Sequence, residues 1–148
     1  MAEKSVWSYL KSKFDFGCIE RHEDMINLGV ADTSYNFIDS YDAEDGVRYN
    51  RYSGWIELKN ASFPKRESSK VKVEFEPMQK PWLSHRGRHG ADTWVLLRVG
   101  RAYLLFYWLN IDQIGQVSYD ELMQLADQIW PAGFTPIQLK NALMKRGA

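Results

Sequence analysis

The stretch GWIELKN, residues 54–60, places a glutamate and a lysine at alternate positions of an otherwise apolar run. Side chains of a strand alternate faces, so Trp55, Glu57 and Lys59 share one face while Ile56 and Leu58 take the other. Read as a strand, GWIELKN anchors itself by one face and presents an acid and a base by the other. Upstream, residues 30–40 alternate well enough for a partner strand, with Tyr35 and Phe37 set against Ser34 and Asn36. The intervening YDAEDG carries an Asp-Gly turn signal, which predicts a hairpin returning from about Arg48 into GWIELKN. Asp39, Asp42, Glu44 and Asp45 are read as solvated turn residues. Asp32 stands at the head of the outward strand, where antiparallel pairing brings it near Glu57.

Further from this hairpin the pattern changes period. Residues 4–27 place Val6, Trp7, Leu10, Phe14, Ile19 and Met25 at mostly helical spacing, which predicts one or two helices. Residues 61–72 combine Pro, Ser and charges without periodicity and read as an exposed basic loop, followed by a short strand at 71–75. A helix is expected over 77–89, with Pro77 near its first turn, Pro81 awkwardly placed and Gly90 as its stop. DTWVLLRVG and AYLLFYWL read as two strands joined at Gly100-Arg101, with Leu104, Phe106 and Trp108 as core. In SYDELMQLADQIW, Ser118 and Glu121 form a capping box ahead of a helix, and Thr135-Pro136 opens another. NIDQIGQVSYDE partly fits a calcium loop, but Ile114 removes a ligand and the capping box explains Glu121 better.

These elements predict one α/β or α+β domain over residues 1–148, with a mixed sheet of two hairpins flanked by helices. A chain of 148 residues buries about 68–70% of its unfolded surface, so a core forms without staples. Cys18 is the only cysteine, which excludes an intramolecular disulfide and fits a reducing compartment. The N-terminal sequence lacks a signal-peptide layout, and the longest apolar run, 102–109, falls well short of the ~20 residues of a membrane span. Cytoplasmic localisation and no membrane partner are expected. The formal net charge is zero, but residues 1–50 hold five Lys/Arg against ten Asp/Glu and residues 51–101 hold eleven against five. A basic strip beside an acidic cluster suits a protein facing a polyanion.

Two carboxylates as close as the hairpin would bring Asp32 and Glu57 repel, and burial worsens it; a divalent cation relieves both. Oxygen ligands with open water positions describe Mg²⁺. Lys59, one pleat along the same face, can orient a water or steady charge on an attacked phosphate. Those are the parts needed to hydrolyse a phosphodiester.

Glu20, then Asp32 after GVA, then Glu57-x-Lys59 on a strand, then Gln79 opening a helix: in this order the chain resembles the PD-(D/E)xK nuclease superfamily. The resemblance is to small Holliday-junction resolvases of archaea and phages and to VRR-NUC nucleases, and spans roughly residues 18–108, with a C-terminal helical extension at about 116–147. It implies a restriction-endonuclease-like core, with Glu20 on a leading helix, Asp32, Glu57 and the Leu58 carbonyl as ligands of Mg²⁺ (Mn²⁺ as substitute), and Lys59 as the catalytic lysine. Ala31 stands where the motif has proline, which carries no ligand. Gln79 matches a polar residue near the site. The activity implied is an endodeoxyribonuclease leaving 5′-phosphate and 3′-hydroxyl ends, acting on branched DNA as a homodimer, in a bacterial or phage-infected cell. Lys65, Arg66, Lys70 and Lys72 of the loop track a DNA backbone or form a charged loop without that role. His85, Arg86 and Arg88, with His89, form a phosphate-facing or a solvated helix face, and His22 lies near the site or on the surface. The alternatives are a nuclease on duplex, flap or single-stranded DNA, a non-catalytic nucleic-acid-binding module, and a structural or interaction role.

Overall fold

The computed structural model describes residues 2–13, 18–22 and 29–147. The chain runs α1 (Ala2–Ser12), β1 (Ile19–Arg21), β2 (Thr33–Ala43), β3 (Gly46–Ala61), α2 (Gln79–Arg88), β4 (Thr93–Val99), β5 (Ala102–Tyr107), a 3₁₀ helix (Trp108–Gln113), α3 (Tyr119–Leu125), β6 (Gln128–Trp130) and α4 (Pro136–Gly147). Among the described residues six strands form one mixed sheet in the order β1-β2-β3-β4-β5-β6. Every neighbouring pair is antiparallel except β3 with β4. This is an α+β fold with helices on both faces of the sheet, and both expected hairpins, β2–β3 and β4–β5, are present.

GWIELKN forms the inner half of β3 and divides its side chains as its alternation predicts. Ile56 and Leu58 join Tyr35, Trp94, Leu96 and Leu105 in a core closed by Val6 and Leu10 of α1 and by Leu139 and Leu143 of α4. On the other face Val95, Leu97, Leu104 and Phe106 pack with Leu83 of α2, Ile111 and Leu122 of α3. With both faces covered, β4 reads as a continuous apolar run, TWVLLRV, in which Val95, Leu96 and Leu97 are fully buried. Each such side chain contributes about 1.5–3 kcal/mol. The parallel β3–β4 pair requires a crossover, and α2 supplies it, its first residue falling at the end where Glu57 and Lys59 lie. Pro81 is the third residue of α2, inside the first turn where a missing N–H costs nothing.

Several elements differ from expectation. Residues 19–21 are a strand, not helix, and pair with β2; residues 14–17 and 23–27 of the expected helical segment lie outside the described residues. Asp39 and Asp42 sit in β2, and the turn proper is Glu44-Asp45, followed by Gly46 at φ 126°. Residues 71–75 form no strand: Lys70 makes a single bridge to Ser118, and the Val71 amide donates to the Val117 carbonyl. α3 stops at Leu125, because the Asp127 amide donates to the Leu105 carbonyl while its carboxylate accepts from the Tyr107 amide, drawing residues 128–130 onto β5 as β6. The Ser118–Glu121 capping box and the Thr135 cap form as expected.

Gly87 gives a signed test of packing. On an exposed helix Gly→Ala stabilises by about 0.5–1 kcal/mol, but a Cβ at Gly87 would meet the Trp108 ring. Gly87→Ala should therefore destabilise by about 1–3 kcal/mol in urea denaturation; a stabilised variant would contradict this packing.

Candidate functional site

The site grows from the register of β2 against β3. Thr33 pairs with Ile56, which sets Asp32 beside Glu57 one position beyond the ladder. There the two residues hold each other: the Asp32 amide donates to Glu57 Oε2 at 3.2 Å, and the Leu58 amide donates to Asp32 Oδ2 at 3.2 Å. Ala31, where the motif has proline, is buried in the core with Leu83, Val95 and Leu97.

Glu57 is wholly buried and Lys59 is 4% exposed. Lys59 Nζ lies 3.5 Å from Glu57 Oε1. Gln79, at the start of α2, bridges them: its Nε2 donates to Glu57 Oε1 at 2.8 Å, and its Oε1 accepts from Lys59 Nζ at 2.9 Å and from the Glu76 amide at 2.8 Å. An amide side chain is the group that can donate to an acid and accept from a base at once. Burial first, then the charge of Asp32, holds the Glu57 carboxyl well above the ordinary carboxylate range, against the opposing pull of Lys59.

Asp32, Glu57, Lys59 and Gln79 are thus brought together as the sequence predicts, and the Leu58 main chain lies among them. Glu20 is not on a helix: it is an exposed residue of β1 paired with Ser34, in the row of Ser34 and Trp55 and not in that of Asp32 and Glu57. His22 is half-buried, hydrogen-bonds Ser34 Oγ at 2.7 Å and packs against Trp55 at 5.2 Å. Among the described residues no group of three or more His, Cys, Asp or Glu side chains converges. A cation shared by Asp32 and Glu57 would complete its shell from main-chain oxygen and water, a donor set that suits Mg²⁺, which keeps several waters and takes one or two carboxylates.

Lys65, Lys70 and Lys72 line one cavity of about 710 Å³ together with Lys59. Arg66 is exposed on the same loop, while His85, Arg86 and Arg88 are exposed on the last turns of α2, with the His85 and His89 rings 4.5 Å apart and tilted by 47°. A second cavity of about 550 Å³ opens on Lys59 and Gln79 between Glu74, Phe75 and Glu76. Phe75 was not foreseen: Lys59 Nζ and Lys80 Nζ both lie over its ring, 4.8 Å and 4.9 Å from the centroid. Lys80 is in turn held by the Ile114 and Asp112 carbonyls. The sequence predicts a strand over 71–75, and in the loop these residues form instead nothing marks Phe75 for this place.

No family model, curated protein or solved structure matches this chain.

The raised carboxyl has a stability consequence of definite sign. Between the ordinary value of 4.5 and its raised value, the native state binds more protons at Glu57 than the unfolded chain, so stability falls as pH rises through that window. Glu57→Gln removes the penalty. It should raise stability at pH 8 by at least about 1 kcal/mol, one pKa unit's worth, with the gain shrinking toward pH 4; a pH-independent difference in urea midpoints would contradict the assignment.

Proposed function

We propose that this chain is a Mg²⁺-dependent endodeoxyribonuclease of the PD-(D/E)xK type with a restriction-endonuclease-like core, acting on branched DNA as a homodimer. The observation that carries this reading is the cluster of half-buried Asp32 and Gln79 around buried Glu57 and Lys59, in which two carboxylates are held against each other with an ammonium one pleat away. Burying Glu57 beside a second carboxylate costs stability without a structural return. Such a pair has a use where a divalent cation is to be bound.

Asp32 and Glu57, with the Leu58 carbonyl, would hold Mg²⁺ or Mn²⁺. When bound, the ion supplies Lewis-acid polarisation of a phosphate oxygen and acidifies a water. Lys59 places its charge where a pentavalent phosphate gathers negative charge, and its low exposure strengthens that interaction. Gln79 positions both partners, because one amide fixes Glu57 Oε1 and Lys59 Nζ together. Phe75 shields the ammonium from solvent on one side. Lys65, Lys70 and Lys72, around the cavity shared with Lys59, supply positive charge for the flanking phosphates. The homodimer follows from the substrate: cutting a four-way junction symmetrically takes two sites.

Asp32→Asn, Glu57→Gln and Lys59→Ala should each lower Mg²⁺-dependent cleavage by at least about 100-fold with circular dichroism unchanged, and Gln79→Ala by about 10-fold. The assay compares a four-way junction with a linear duplex of the same sequence. Faster cutting of the junction supports the branched substrate, equal rates favour a general nuclease, and wild-type cutting by Glu57→Gln would sink the mechanism.

A further inference from the structure

β2 and β3 outrun the rest of the sheet: β4 pairs with β3 only from Trp55 onward, and β1 with β2 only as far as Tyr35. Beyond those limits the two strands form a ribbon that, among the described residues, has no third strand. At its foot a cavity of about 500 Å³ opens between Trp55, Ser34, Asn36, Arg51, Ser53 and the turn at Asp92. That volume falls within the range of small-molecule sites. Ser34, Asn36, Arg51, Ser53 and Trp55 occupy the positions of β2 and β3 that share a face with Asp32, Glu57 and Lys59. Trp55 is one pleat, roughly 6.6 Å, from Glu57 along β3.

The Trp55 ring is held from two sides. Trp82 meets it edge-on at 5.3 Å and 85°, and His22 lies at 5.2 Å. Arg86 lies over Trp82 at 5.0 Å, which fixes that ring in turn. A propped indole at a cavity wall is a stacking platform whose rotamer freedom is already spent. Around it Ser34, Asn36 and Ser53 offer both donors and acceptors, and Arg51 a guanidinium, the groups that read a base edge and its phosphate. Asp92, held by the Tyr107 hydroxyl at 2.9 Å, disfavours a phosphate at the inner end and leaves that place to an uncharged base.

We propose that this cavity receives one unpaired nucleotide, its base against Trp55 and its backbone toward Arg51. Its relation to the cut site, as a neighbour of the phosphate served by Lys59, rests on the nuclease reading above. A base stacked within an intact duplex cannot present its face to Trp55, so the cavity selects DNA that is single-stranded or opened at a branch.

The test is binding of a fluorescently labelled oligothymidylate, followed by anisotropy in EDTA, so that no cleavage occurs. The full-length wild type should bind; Trp55→Ala should weaken binding by about 10-fold, Trp55→Phe should retain most of the affinity, and Arg51→Ala, on the exposed ribbon, should weaken it several-fold. Unchanged affinity in Trp55→Ala, or no binding by the wild type, would overturn the proposal. Should Trp55→Ala prove unfolded by circular dichroism, Arg51→Ala decides in the same way. Cleavage by the wild type is read separately with Mg²⁺. Binding without any cleavage overturns the nuclease reading and leaves the cavity in place, whereas cleavage without oligothymidylate binding does the reverse.

Discussion

The reciprocal hold between Asp32 and Glu57 is the constraint from which the site follows. Each residue accepts a backbone hydrogen bond from the other's stretch of chain, the Asp32 amide to Glu57 and the Leu58 amide to Asp32. A slip of one residue in β2 or β3 would turn Glu57 and Lys59 into the core that Ile56 and Leu58 now fill, so the apolar face and the acid pair fix the same register. The parallel pairing of β3 with β4 then requires a crossover helix, and its first residue, Gln79, reaches both Glu57 and Lys59. The chemistry of the site is thereby tied to the hydrophobic pattern of the strand that carries it.

What the sequence displayed openly was periodicity. The alternation in GWIELKN and in residues 33–37, the apolar run of β4 and the Ser118 and Thr135 caps all describe local forces, and they appear where expected. The three-residue strands β1 and β6 were not legible, because IER and QIW are too short to show a period and become strands only through a neighbour's open edge. β6 depends on Asp127 seizing the edge of β5, a contact between residues twenty apart in sequence.

The candidate site divides along the same line. Asp32, Glu57 and Lys59 could be brought together from hairpin geometry alone, and Gln79 only from the family resemblance. Glu20 was placed by analogy on a helix, and the strand it occupies puts it in a different row of the same face. Phe75 was invisible because its role arises from the path of an aperiodic loop. Trp55, unexplained by its alternation alone, acquires a setting only when Trp82 and His22 arrive from α2 and from the residue just after β1.

Everything proposed for Asp32 and Glu57 depends on whether the acid pair binds a divalent cation. Titration of Mn²⁺ into the metal-free protein, with bound ion counted by electron paramagnetic resonance, addresses this without reference to any substrate. The account predicts saturable binding to the wild type, weakened at least about 10-fold in Asp32→Asn, since the ion would lose one of its two carboxylates. Equal binding by wild type and Asp32→Asn, or none by either, would contradict it.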